Sequence, residues 1–160
     1  MKVESNKKML LFRYSNYRKT DFIEEHNSVI AQFGYTWMMK AGKKSDLKKV
    51  KSVQDDGGFL ILKSPVKNGN KYYLAVFDDF LDETPHDDTY PEYYNEFMED
   101  MWDVSSYQWF KLKSIFQVPE EEVNKIVLKA NGKAIKDVMS STRTAVMFVE
   151  NIDSIELKRL

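Results

Sequence analysis

The chain has 160 residues, 42% of them hydrophobic and 31% charged, with a formal net charge of -1 and no cysteine. That is the size and composition of one globular domain with its own core, and it excludes disulfides and thiolate metal sites. Mean hydropathy is -0.54, and no apolar run approaches the ~18 residues of a transmembrane helix, so no membrane partner is expected. The only early apolar stretch, Met9 to Phe12, is too short for a signal-peptide core, which makes the cytoplasm the expected location.

Charge is unevenly spread. There are 12 basic and 5 acidic residues from Met1 to Val53, 3 and 13 from Gln54 to Phe110, and 9 and 7 from Lys111 onward. Basic ends around an acidic middle allow a basic face on a neutral protein.

In chain order, residues 1–7 read as a flexible start. Lys8 to Tyr14 is an apolar, aromatic run that predicts a central strand. Thr20 or Asp21 can cap a helix over Phe22 to Phe33, with Glu24 and Glu25 in its first turn and Gly34 as its stop. Tyr35 to Lys40 predicts a short strand. Ser45 can cap a second helix, Asp46 to Gln54, amphipathic through Leu47, Val50 and Val53.

Phe59 to Lys63 and Lys71 to Phe77 predict a hairpin around an Asn68-Gly69 turn. Leu81 to Ser106 predicts a long acidic, aromatic loop with a helical stretch over Glu92 to Met101. Trp109 to Val118 predicts a strand stopped by Pro119, and Val123 to Leu128 another. Lys133 to Ser140 predicts a short helix, Ala145 to Val149 a last strand, and 151–160 a tail. Strands outnumber helices and no βαβ repeat dominates. The expected class is therefore α+β, with a small curved sheet or β-barrel flanked by helices, as a single domain over 8–150.

No glycine-rich phosphate loop is present, so nucleotide hydrolysis is not expected. His86 beside Asp87 and Asp88 has the right chemistry for a cation, but reads as an exposed acidic turn. No serine sits in a nucleophile elbow, and no cofactor or metal is expected. Trp109 opens a strand and reads as core. Trp102, in the acidic loop between Asp100 and Asp103, is a candidate for stacking on a planar group.

Residues Trp109 to Phe148 resemble the second half of a YTH domain. The matching pieces are Val118-Pro119, a turn over Glu120 to Asn124, an apolar strand over Lys125 to Leu128, Asn131-Gly132-Lys133, and Ser141-Thr142-Arg143. Phe12 to Asn16, Tyr35 to Lys43, Phe59 to Lys63 and Tyr72 to Phe80 follow the same family's order in the first half. The related EVE domains share this PUA-like barrel and are regarded as modified-base readers. Over residues 8–150 the resemblance implies a non-catalytic nucleic-acid-binding module with an aromatic cage. Trp37 and Trp102 would be its walls, Ser15 and Asn16 would bond the base edge, and Arg143 and Lys40 would meet phosphate. The chain departs from the family at Thr144, where an Asp is usual, and at Met38.

The resemblance implies a DNA or RNA partner, and a reader this small would act with a separate effector protein. Two alternatives stand beside it. The acidic segment 78–103 could cover a basic protein, as in an antitoxin-like partner. An ASCH-like ribonuclease could use Lys40 or Arg143 with an acidic residue.

Overall fold

A computed structural model describes residues 1–100, 107–142 and 146–160. The first half runs β1 (Lys2–Val3), β2 (Lys8–Arg13), α1 (Phe22–Phe33), β3 (Thr36–Ala41), α2 (Leu47–Asp55), β4 (Phe59–Lys63) and β5 (Tyr72–Leu81). The second half runs α3 (Tyr93–Asp100), β6 (Tyr107–Val118), α4 (Glu120–Val123), β7 (Ile126–Leu128), α5 (Ile135–Val138), β8 (Val146–Asn151), β9 (Ile155–Glu156) and β10 (Lys158–Arg159).

Local chemistry explains the first helix. Asp21 accepts the Glu24 amide at 2.9 Å, two glutamates sit at the positive end of the helix, and Gly34 ends it at φ 85°. In α2 the cap is Asp46, which accepts from the Lys48 and Lys49 amides, and not Ser45 as expected. Ser45 instead pairs through its backbone with the Gln108 side chain.

The sheet has eight strands in the order β10-β6-β5-β4-β2-β8-β7, with β3 also on β6. β2 and β4 are parallel, and the other pairs are antiparallel. β6 is the spine. One of its edges carries β5, and its other edge carries β3 on the first half and β10 on the second. The class is thus α+β with helices on the sheet, but among the described residues no pairing closes it into a barrel. β7, only three residues long, ends one side, and β3 and β10 occupy the other.

Both faces of the sheet are covered, which is why its strands read as near-continuous apolar runs. Leu10, Phe12, Leu60, Leu62 and Phe110 pack beneath Phe22 and Ile23 of α1 and Val50 and Val53 of α2. Met9, Leu11, Ile61, Leu74 and Val149 face the other way, onto Val3, Ile126, Ile135, Ile155 and Leu157.

This second layer corrects the expected loose start and tail. β1 pairs with β9, β10 pairs with β6, and Val3, Ile155 and Leu157 are buried. Three further expectations shift. The β5 strand continues through Asp78 to Leu81 because β6 pairs with it that far, past a bulge. Val123 lies in the short turn of α4 and β7 begins only at Ile126, while the helix expected over Lys133 to Ser140 is the four-residue α5.

Asn151 ties the two chain ends together. It is fully buried; its Oδ1 accepts the Lys7 amide at 2.8 Å, and its Nδ2 donates to the carbonyls of Glu4 and Asp153 at 2.7 and 2.9 Å. Asn151→Ala removes three partly buried hydrogen bonds to backbone groups, so the expected loss is about 2 kcal/mol. The check is the urea midpoint at unchanged m-value. A loss below about 0.5 kcal/mol, the range of ordinary surface substitutions, would contradict this role.

Candidate functional site

Four segments converge at the α1 end of the sheet. They are the exit of β2 (Arg13 to Tyr17), the end of β3 with the loop to α2 (Met38 to Asp46), α3 (Tyr93, Tyr94, Phe97) and the start of β8 (Val146 to Phe148). Together they line a cleft of about 840 Å³, within the range of pockets that hold small organic ligands.

Aromatic side chains form its walls. Tyr14 stacks on Phe22 with ring centres 4.5 Å apart, and Tyr17 stacks on Tyr93 at 5.9 Å and meets Phe97 edge-on at 5.3 Å. Burial pushes the Tyr14 and Tyr93 phenols well above their usual range, so both stay neutral.

The exit of β2 is clamped to α3. Tyr17 donates its hydroxyl to Asp100, which pushes the phenol up to about 12. Arg18, over the Tyr17 ring at 5.1 Å, pairs with Glu96 and with Asp100 at 2.8 Å. Asn16 Oδ1 accepts the Phe22 amide at 2.9 Å and so shapes the entry into α1.

The opposite rim is basic. Lys40, Lys43, Lys44 and Lys49 line it. Burial lowers the Lys40 pKa. The loop that carries Lys43 and Lys44 is held by buried Gln108, which accepts the Ser45 amide at 3.0 Å and donates to Ser45 O and Asp82 Oδ1 at 3.3 and 3.2 Å. Lys44 Nζ also reaches Asp82 O at 2.7 Å. Asp46, the one carboxylate among the described lining residues, spends an oxygen on the α2 amides.

Of the residues expected in the site, Ser15, Asn16 and Lys40 line this cleft together. Trp37 does not. It is 5% exposed and packs with Met39, Tyr94 and Trp109 in the core cluster behind the cleft, of which Met39 and Tyr94 reach the cleft and Trp37 does not. The cause is its place on β3, where an edge strand buries it under α3 and the loop before it; the Thr89 carbonyl accepts its amide at 2.8 Å. The expectation of Trp37 as a cage wall is corrected to a core role. Trp102 and Arg143 lie outside the described residues. Trp109 is fully buried, as expected for core.

Sequence reasoning missed Tyr14, Tyr17, Tyr93 and Phe97 as walls, and Lys43, Lys44 and Lys49 as rim. Their signal was visible as density alone, aromatic over 90–97 and basic over 40–51. In the His86 turn, Asp87 accepts the Tyr35 hydroxyl, and among the described residues no three side chains group as a metal site. No helix among the described residues is long and apolar enough to cross a membrane.

No family model, curated protein or solved structure matches the chain.

Proposed function

We propose that the cleft is the binding site of a nucleic-acid-binding module, a non-catalytic reader that takes one unstacked base of a DNA or RNA strand between its aromatic walls. The observation that carries this reading is the pairing of those walls with a rim of four lysines, on a chain whose net charge is only -1. Base faces stack on aromatic rings, and ammonium groups meet phosphates without sequence preference. The resemblance to PUA-like, EVE and YTH domains assigns Ser15, Asn16 and Lys40 to the same task. Trp37 has no part in it.

The alternative, a protein partner docked on the acidic segment, is less well supported. Three of that segment's acids are already paired at the surface within the chain, Glu96 and Asp100 with Arg18 and Asp78 with Lys113. A separate effector protein would supply any chemistry.

The test is fluorescence anisotropy with labelled single-stranded RNA and DNA twelve-mers at low and moderate salt. Replacing Lys43, Lys44 and Lys49 by Gln is expected to weaken binding at least tenfold and to flatten the log–log salt slope by roughly 2, since each single-strand phosphate contact contributes about 0.7. Absence of binding by the folded protein at low salt, or binding indifferent to the three substitutions, would refute the reading.

A further inference from the structure

We infer that the loop of the β4–β5 hairpin, residues 64–71, is a second phosphate-binding surface, and that a strand held by one base in the cleft continues past Tyr14 onto Lys67 and Lys71. The inference rests on the proposed reading and extends the strand's footprint beyond the cleft.

The sequence sets the charge. Residues 57–77 hold three lysines and no acid, and Lys63, Lys67 and Lys71 are the only basic residues of the otherwise acidic span 54–110. Lys63 ends β4, and Lys67 and Lys71 lie exposed in the loop to β5. Among the described residues neither loop lysine is in an ion pair.

The loop is held in one shape. The Ser64 amide donates to Lys71 O at 2.9 Å, and Ser64 Oγ accepts the Lys71 amide at 2.8 Å. Lys63 Nζ donates to Ser64 O and Asn70 Oδ1, each at 2.9 Å. Gly69 and Asn70 turn the chain at φ 89° and 53°. The backbone that carries both lysines is thus ordered before any ligand arrives, which lowers the entropy lost on binding.

Beneath the loop lies charge that no acid neutralises. β2 and β4 are parallel, with Arg13 opposite Lys63. Both residues come two after the paired Leu11 and Ile61, so both side chains take the same face of the sheet. Lys63 is buried and Arg13 half-buried, with Arg13 Nη2 donating to Met139 O and Thr142 O at 2.6 Å. Among the described residues neither meets a carboxylate, and the sequence of 143–145 contains none. Burial, and then the Arg13 charge, lower the Lys63 pKa, the direction expected of two cations without a counter-ion. Solvent screens such charges poorly, so they add to the positive potential at the loop above them.

Main chain joins this surface to the cleft. Tyr14, one of the aromatic walls, donates its amide to the Lys63 carbonyl at 3.1 Å, and Arg13 itself borders the cleft. Cations therefore flank the cleft twice, on the rim before α2 and on the hairpin beyond Tyr14. A phosphodiester backbone carries a charge at every nucleotide and matches two basic surfaces with an aromatic site between them.

The experiment is anisotropy of the full chain with labelled single-stranded twelve-mers over a salt series. The variant with Lys67→Gln and Lys71→Gln is expected to bind about tenfold more weakly at low salt, with the log–log salt slope flattened by about 1.4, from two contacts of about 0.7 each. The control with Lys111→Gln and Lys113→Gln removes the same charge from beside the Tyr35 ring and Asp78, and is expected to change affinity by about twofold or less. Melting curves check the fold of both. Should the double variant melt early, Lys67→Gln alone repeats the test with a slope change of roughly 0.7.

Affinity and slope unchanged by the hairpin substitutions, or an equal loss in the control, would overturn the second surface and leave the cleft reading intact. Absence of wild-type binding at low salt would overturn both.

Discussion

Gly58→Ala is expected to destabilise the protein by roughly 3–5 kcal/mol, combining the left-handed backbone cost with overpacking against main chain. Gly58 has φ +73°, and a Cβ built there would lie 2.0 Å from the Phe77 carbonyl oxygen. That oxygen cannot swing away like a side chain. Phe77 donates its amide to Gly58 O at 2.8 Å, and the β5 strand carries its register shift at the same residue. The Gly58 amide in turn closes α2 on Val53 O at 2.9 Å. One glycine thus joins α2, which carries Lys49 of the basic rim, to the bulge of the central hairpin.

Gly34→Ala is the control. Its φ is +85°, but nothing lies within 4 Å of the added carbon, so only the backbone cost of about 1–2 kcal/mol applies. Thermal unfolding checks both, at roughly 2–4 °C per kcal/mol for a domain of this size. If the two variants melt together, close approach to Phe77 is not the determinant.

Lowering the pH from about 6.5 to 4 is expected to remove roughly 3 kcal/mol of stability through His26 alone. Its ring is fully buried. Nδ1–H donates to Phe22 O at 2.7 Å, Nε2 accepts from the Tyr94 hydroxyl at 2.5 Å, and the Tyr94 oxygen accepts the Met39 amide at 3.2 Å. The neutral ring is therefore satisfied on both nitrogens, with Phe22, Tyr93 and Tyr94 as its ring neighbours.

A proton would place an unpaired charge away from water. Burial holds the pKa down at about 4, against the smaller opposing effect of the Phe22 carbonyl. The unfolded chain takes up this proton near pH 6.5 and the folded chain only near 4. Stability from this group is complete above the upper value, falls between the two, and loses nothing further below the lower. Urea midpoints of the wild type and His26→Gln at pH 7, 6, 5 and 4 read it out. The variant is expected to start lower and change less over that window. A constant difference between the two would rule the mechanism out.

Some of this was legible in the residue order. Phe22–Phe33 was readable because its signals are local, a cap at Thr20 or Asp21, of which Asp21 serves, and a left-handed glycine at Gly34. The β2 and β4 strands were readable because burial on both faces leaves an unbroken apolar run. Ser15, Asn16 and Lys40 were expected from a family resemblance, and all three line the cleft, Ser15 and Asn16 just past β2 and Lys40 within β3. Trp37 was misplaced because a tryptophan in a pocket and one in a core look the same in one dimension; the difference lies in what α3 and residues 81–92 fold over.

The chain ends read as loose for a related reason. Val3, Ile155 and Leu157 are isolated apolar residues among charges, and their burial comes from pairing across nearly the whole length of the chain.

The sequence alone determined the α+β class, most element boundaries and the separation of basic from acidic segments, since propensity, capping and periodicity act over a few residues. Only the tertiary structure decided which edge of β6 takes β3 and β10, that Arg18 meets Asp100, and that aromatic rings from β2 and α3 face lysines from the loop before α2. Hydrophobic burial carries no address of its own. Partners far apart in the chain are chosen by the packing of the whole, and the cleft is made almost entirely of such partners.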